Sequence, residues 1–296
     1  MAVDYYVRRM REEDVTAVER LTDEAFYQVD VRTHRAGSPE PTHRSEQKAL
    51  SWRRRLAHLV HHDPDGCWIA EDRTGVIGAA ASIRRDLTWI LSAFAVRPDR
   101  QGRGVGRQLL DAALAHGSGC LRAMLAASDD PGAVRRYRLA GFSLHPTMAL
   151  RGTVDRRLLP VVERVREGAV GDVDLMNSVD RQVRDAAHGV DHELLVATYR
   201  LVVVDRATGT GYAYVEPNGG PHLLAATNRR TAADLLWESL ASSSPDASSA
   251  IRHLTPAQEW AVDIGLAARM ELDTEGYLAL RSMKPPVPYI PSGHFL

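Results

Sequence analysis

The chain has 296 residues, 44% hydrophobic and 25% charged, the composition of a folded globular protein and not of a disordered or collagen-like one. Its 37 lysines and arginines balance 38 aspartates and glutamates, so no overall positive field draws it to nucleic acid. Two cysteines, Cys67 and Cys120, lack the spacing of a disulfide framework or a zinc knuckle and fit a reducing cytoplasm.

Length alone favours two domains. The opening MAVDYYVRRM places Asp4, Arg8 and Arg9 where a secretion signal needs an apolar run. The most apolar segment, ELLVATYRLVVV, is broken by Arg200 and is shorter than the ~20 residues a bilayer demands. The expectation is a cytoplasmic chain with no membrane partner.

In chain order, the patterning predicts a strand near 3–9, helices near 11–28 and 42–62, and strands near 67–72, 75–84 and 88–96, with the turn DRTG joining two of them. A glycine-rich loop follows Val96, then a helix to about His116, a strand in CLRAMLAAS, a helix from Pro131 to about Ala140, and strands around Phe142 to Thr153. Further on, LLVATYRLVVVD and GYAYVE read as a strand pair. PHLLAATN leads into the helical TAADLLWESLA, IRHL into the helical AQEWAVDIGLAA, and EGYLALR reads as a strand. The tail KPPVPYIPSGHFL is too rich in proline for regular helix and should run extended. This order of strands and helices implies a mixed α/β sheet.

The chain also resembles itself. VRRMREEDVTAV, beginning at Val7, parallels VERVREGAVGDV, beginning at Val162, an offset of 155 residues, and each copy runs into an amphipathic helix pattern. The expected division is 1–153, 154–281 and an extended tail over 282–296.

Between Val96 and Leu110 the sequence reads VRPDRQGRGVGRQLL. Helix N-termini carry unpaired amides and the positive end of a dipole, and glycines allow an anion close to those amides. Gln101, Gly102, Arg103, Gly104, Val105, Gly106 and Arg107 meet that requirement. A P-loop would continue with Lys and Ser or Thr, where Arg107 and Gln108 stand. A dinucleotide-binding loop would follow the first strand and be answered by an acidic residue about twenty positions on, and neither condition is met.

The phrase WILSAFAVRPDRQGRGVGRQLLDAAL resembles the acetyl-CoA-binding core of the GCN5-related N-acetyltransferases, whose Gln/Arg-x-x-Gly-x-Gly/Ala loop is met by Gln101, Gly104 and Gly106 after Val96 and Pro98. A second signature of that family, Asn-x-x-Ala-x-x-x-Tyr followed by Gly-Phe, is met by Ala133, Tyr137, Gly141 and Phe142, with Asp130 in place of Asn. More loosely, the whole chain resembles tandem-domain relatives of the Eis type, without the further C-terminal domain those carry.

That resemblance implies an α/β (α+β) fold of two tandem GNAT-like domains, each a mixed, mostly antiparallel sheet flanked by helices. The second copy is degenerate: its corresponding loop, ATNRRTAADLL, has no glycine and should not bind acetyl-CoA. It implies acetyl-CoA as co-substrate, held by the backbone of Phe94, Ala95 and Val96, by the loop from Gln101 to Arg107, and by Asp130 and Ala133. Tyr137 corresponds to the proton donor for the departing thiolate. The carboxylate of Leu296 corresponds to the general base used in Eis-type relatives.

The implied activity is N-acetyl transfer to a primary amine of a small molecule or peptide, by a chain that could form a homo-oligomer. The alternative is a CoA- or ligand-binding regulatory protein that performs no transfer. Trp89 and Ser92 are candidates for lining the acceptor pocket, as are residues 28–62. His188, Asp191 and His192 have an H-x-x-D-H spacing, but with no third or fourth ligand recognisable no metal is expected, and a polar lining shared with Arg184 is the preferred reading. His61, His62 and Asp63 read as a helix end, and Arg53, Arg54 and Arg55 as a solvated face.

Overall fold

In the computed structural model the described residues are 5–34 and 40–296. Positions 3–4 of the first predicted strand and 35–39 of the candidate acceptor segment lie outside them. The chain forms β1 (Tyr6–Arg9), α1 (Val15–Thr33), α2 (Glu46–His62), β2 (Cys67–Asp72), β3 (Gly75–Arg85), β4 (Thr88–Val96), α3 (Val105–His116), β5 (Arg122–Ala127), α4 (Pro131–Leu139) and β6 (Ser143–Thr153). It continues with β7 (Arg166–Glu167), α5 (Val173–Arg184), α6 (Asp191–Thr198), β8 (Arg200–Arg206), β9 (Gly209–Val215), β10 (Pro221–Ala226), α7 (Arg229–Ala241), β11 (Ser248–Leu254), α8 (Glu259–Ala267), β12 (Glu271–Arg281) and β13 (Tyr289–Ile290). The fold is mixed α/β, with mostly antiparallel sheets flanked by helices.

The chain divides into two compact units. The first comprises residues 1–84 and 89–120; the second comprises 85–88 and 121–296. In the first unit the strands lie in the order β1, β2, β3, β4, with β1–β2 and β2–β3 antiparallel. Ser45 starts α2 by accepting a hydrogen bond from the Lys48 amide, and Ala49, Trp52, Leu56 and Leu59 then recur at helical spacing on its buried face. Helix α3 lies close on the sheet because residue 78 is glycine: a Cβ there would stand 2.7 Å from Leu109 Cδ1.

In the second unit β5, β12, β6 and β11 form one antiparallel set, and β13, β10, β9, β8 and β7 another. Strand β6 is paired on both sides by strands from much later in the chain, β12 and β11. Leu150 of β6, Leu235 and Leu236 of α7, Ile264 of α8 and Val204 of β8 meet in one apolar cluster. No helix among the described residues is long and apolar enough to cross a membrane.

Two readings of the sequence change. LLVAT, expected to open a strand, lies in α6, and the strand starts at Arg200. Asp191 and Glu193 in the first turn favour the helix, since carboxylates sit well against its positive end.

A similar local device precedes α1 and α5, in a register different from that of the letter match. Asp14 takes a bidentate pair from Arg8 (2.7 and 2.8 Å) and the amide of Arg11 (2.8 Å), just before α1. Asp172 takes a bidentate pair from Arg166 (2.6 and 3.0 Å) and the amide of Ala169 (2.9 Å), just before α5. These pairs are offset by 158 residues, Arg8 to Arg166, because the ion pair and the turn align the copies and not the largest number of identical letters.

Candidate active site

The glycine loop belongs to the first unit. Gly102 and Gly104 sit at φ +75° and +88°, a backbone that side chains with a Cβ rarely adopt, and nothing lies within 4 Å of where a Cβ on Gly102 would be. Gly104 is the N-cap of α3 and offers no side chain to it. Its carbonyl accepts from the amides of Arg107 and Gln108 (3.0 and 3.2 Å). The amides of Gly102 to Gly106 find no acceptor among the described residues. Gln101 ties the loop to the strand before it, its Nε2 donating to Val96 O at 3.1 Å. At Gly106 the backbone packs closely on Phe94 and Val96, since a Cβ there would stand 3.3 and 3.4 Å from their side chains.

Of the loop's arginines, two are already engaged. Arg97 pairs with Asp99 (2.6 Å), and Arg100 with both Asp99 (2.6 Å) and Asp72 (3.0 Å). Hydrogen bonds from Thr74 together with Arg100 hold the Asp72 carboxyl down to about 2. Arg107 is exposed, 3.6 Å from Asp111, and Arg103 is exposed with no ion-pair partner among the described residues. The loop is therefore a run of amides without internal acceptors, with two exposed arginines beside it, an arrangement of the kind that can bind an anion.

Phe94, Ala95 and Val96 end β4 in the same unit, with Ala95 and Val96 buried and Phe94 half-buried. Trp89 is fully buried and donates to Ala113 O (2.9 Å), so it is a core residue. Ser92 is buried and its hydroxyl has no hydrogen-bond partner among the described residues.

Asp130, Ala133 and Tyr137 belong to the second unit, on α4. Asp130 Oδ1 accepts from the Ala133 amide (2.9 Å), which makes it the helix N-cap, a role Asn and Asp fill equally well. At the other end, Phe142 N donates to Tyr137 O (3.1 Å) and Gly141 N to Arg138 O (3.1 Å), with Gly141 at φ +87°. This is a Schellman stop, and it explains the Gly-Phe pair on local grounds. Tyr137 is buried, edge-on to Phe142, and burial first and the Asp130 charge second raise its phenol well above 10, so the hydroxyl keeps its proton at neutral pH.

Leu296 is also in the second unit and is fully buried. The tail pairs with β10 through β13 and then curls so that Ser292 Oγ accepts from the amides of His294, Phe295 and Leu296 (3.2, 2.9 and 3.3 Å). Buried Arg184 donates to the main-chain oxygens of Phe295 (3.3 Å) and Leu296 and to Ala187 O (3.1 Å). A carboxylate held by a guanidinium is a weakened base.

His188, Asp191 and His192 are fully buried in the second unit, but they do not act as one set. Asp191 pairs with Arg85 through two short bonds (2.6 and 2.7 Å), while the two histidines converge on Asp180 of α5. Sequence reasoning missed Asp180; the signal is its place one helical turn before Arg184 on the buried face of α5, beside Met176 and Val179. Burial first, and then the charge of Arg184, lowers the His188 imidazole to about 4, which leaves it neutral at neutral pH.

The loop of the second half is built differently. Asn228 caps α7 with its side chain, accepting from the Thr231 amide (2.9 Å) and donating to Thr208 O (3.0 Å). A side chain thus fills the position that Gly104 leaves open.

Residues 5–142 match the family described as the acetyltransferase (GNAT) family. No curated protein matches the chain. Among solved structures, it is similar to a candidate acetyltransferase from Pyrococcus horikoshii, with TM-score 0.75, 16% identity and coverage of 99% of this chain and 96% of that one. A GCN5-related N-acetyltransferase from Sphaerobacter thermophilus gives TM-score 0.59 at 14% identity over 97% and 98% of the two chains. One from Kribbella flavida gives 0.58 at 15% over 94% and 70%. At these identities the likeness speaks to fold. Over residues 5–142 the chain matches the GNAT acetyltransferase family, and its fold is that of solved GCN5-related N-acetyltransferases.

Proposed function

We propose that this chain is an acetyl-CoA-dependent N-acetyltransferase acting on a primary amine of a small molecule or peptide, in the cytoplasm, without nucleic-acid or membrane partners. The observation that carries the reading is the glycine loop. Five successive amides without internal acceptors, two left-handed glycines and a helix N-terminus free of any capping side chain fit a diphosphate of the size and charge of that in CoA. Acetyl-CoA, when bound, supplies an activated acyl group on a thioester.

In this reading the amides from Gly102 to Gly106 hold the anion, Arg103 and Arg107 add charge at the rim, and Phe94, Ala95 and Val96 contribute backbone groups to the bound arm. Tyr137 holds a proton at its hydroxyl for the departing sulfur. The resemblance assigns the base to the carboxylate of Leu296, which in this fold accepts from Arg184. The second half is read as a degenerate copy, of the kind found in Eis-type tandem proteins, because the same Arg–Asp device precedes α1 and α5 while the glycine loop does not recur.

Calorimetric titration of the full chain with acetyl-CoA tests this, beside Gly104→Glu, which fills the cradle, and Arg103→Glu, which alters an exposed side chain without touching the fold. One site per chain, abolished in the first variant and weakened roughly tenfold in the second, is the expected result. Acetylation of a panel of primary amines then separates an enzyme from a CoA-binding protein. Two sites per chain, or none, would overturn the assignment of the loop.

A further inference from the structure

We infer that Asp180, His188 and His192 form a buried site for one divalent cation of the zinc class, within the second unit and apart from the acetyl-CoA loop.

The three residues come from α5, from the turn that follows it, and from α6. Asp185 and Gly189, at φ +64° and +58°, let the chain double back after α5 so that residue 188 returns to residue 180. All three side chains are 0% exposed, and one nitrogen or oxygen from each lies within 4.8 Å of the others. Asp180 Oδ2 stands 2.7 Å from His188 Nδ1 and 3.2 Å from His192 Nε2. At the second contact the geometry is poor for a hydrogen bond, and the fully buried His192 Nε2 finds no well-aligned partner among the described residues. An orphaned imidazole nitrogen beside a buried carboxylate is costly, about 1–3 kcal/mol on general grounds, and a cation between them removes that cost.

The far side of the group has the form of a metal site's outer layer. His188 Nε2 faces Tyr289 OH (3.4 Å), and His192 Nδ1 faces Tyr214 OH (3.0 Å), so each imidazole is oriented by a phenol behind it. Outer partners of this kind fix the ring and tautomer that a metal needs. Tyr212 OH, donating to Asp180 Oδ1 (2.5 Å) and 3.3 Å from His188 Nδ1, supplies an oxygen as a fourth candidate ligand.

Two imidazoles, a carboxylate and a hydroxyl oxygen are ligands for zinc or a similar borderline ion, and not for the all-oxygen shells of calcium or magnesium. Bonds of about 2.0–2.1 Å require ligand atoms roughly 3.3 Å apart, so binding would open the Asp180–His188 contact by about half an ångström and displace its shared proton. The positive charge of Arg184 nearby is taken up by the main-chain oxygens of the C-terminus. Complete burial makes the ion structural: it joins α5 to α6 without exposure to substrate.

The experiment uses the full chain. Protein purified without chelator is analysed for zinc, then stripped, refilled with Co(II) and examined by visible and X-ray absorption. We expect one equivalent of zinc, Co(II) ligand-field bands of a low-coordinate site, two imidazoles in the scattering, and a thermal midpoint raised by roughly 5 °C at an ion concentration about 100-fold above Kd. Asp180→Asn and His192→Gln should each weaken binding by at least about 100-fold, while His61→Gln/His62→Gln, on the exposed end of α2, should retain the ion. Folded protein that takes up neither ion, an ion retained in both inner variants, or an ion lost with the surface histidines would overturn the proposal. Should the inner variants fail to fold, the wild-type spectrum decides: two imidazoles support the site and their absence removes it.

Discussion

At the scale of single residues, α4 separates two demands that the family signature presents together. Asp130 caps the helix by accepting from Ala133 N, and that role needs only a short side chain with an acceptor oxygen. Asp130→Ala should therefore lower stability by about 1 kcal/mol, and Asp130→Asn should restore it, as read by urea unfolding. Were Asp130→Asn as unstable as Asp130→Ala, the residue would be held by its charge and not by its geometry. Tyr137 makes a different demand. Its phenol is buried and keeps its proton at neutral pH, so Tyr137→Phe preserves the packing against Phe142 and removes only the hydroxyl. If the hydroxyl protonates the thiolate, kcat should fall about 10²- to 10⁴-fold with the acetyl-CoA Kd unchanged. Equal kcat in the variant would end the assignment.

At the scale of elements, the closeness of α3 to the sheet is what sets the glycine loop, and residue 78 controls it. Gly78→Ala would place a methyl group 2.7 Å from Leu109 Cδ1 and 3.2 Å from Val105 Cγ1, pushing on the first turn of the helix that the loop caps. A cost of about 1–3 kcal/mol and a weaker acetyl-CoA site are expected together, since overpacking here displaces the cradle. Loss of stability with unchanged affinity would show the loop to be independent of helix position. Most of these elements were legible because periodicity and punctuation agreed: Gly75 in its turn, the glycine loop before α3 and Pro131 at the start of α4 each mark an end that the structure keeps, whereas the start of α2, expected near 42, falls after Ser45. The segment LLVAT was not, because a short apolar run has no period to separate helix from strand, and its helix depends on Asp191, whose partner Arg85 is 106 positions away. The repeat was visible in letters but not in register, since its equivalence rests on one Arg–Asp pair in each copy. For Asp180 the only signal was its place one turn before Arg184 on the buried face of α5; its meaning comes from a turn that returns His188 to it, which no spacing rule records.

At the scale of the whole chain, the net charge of −1 belongs to neutral pH, and part of the acid stability is set by particular buried groups. His253 is the clearest outside the proposed metal site. Burial first, opposed by the nearby Glu275 charge, lowers its imidazole to about 4, while the same residue in the unfolded chain titrates near ~6.5. Between those values the unfolded chain holds the extra proton, so stability must rise with pH across that window and fall as the solution is acidified from about 6.5 toward 4. Glu275 adds to the acid side: burial raises its carboxyl, but Arg252, His253 and Arg151 outweigh that and bring it below its usual range, so its contribution is lost as pH falls through the lowered value. The ceiling for His253 is about 3 kcal/mol, and its partly exposed side chain brings the expected loss nearer 1–2 kcal/mol. His253 also sits at φ +58°, a conformation Asn tolerates, so His253→Asn removes the titrating ring without imposing backbone strain. Unfolding midpoints in urea at pH 7, 6, 5 and 4 should show a shallower decline in this variant than in the wild type, with the curves meeting near neutrality once the pH 7 values are aligned. Parallel declines would mean that His253 is solvated in the folded chain.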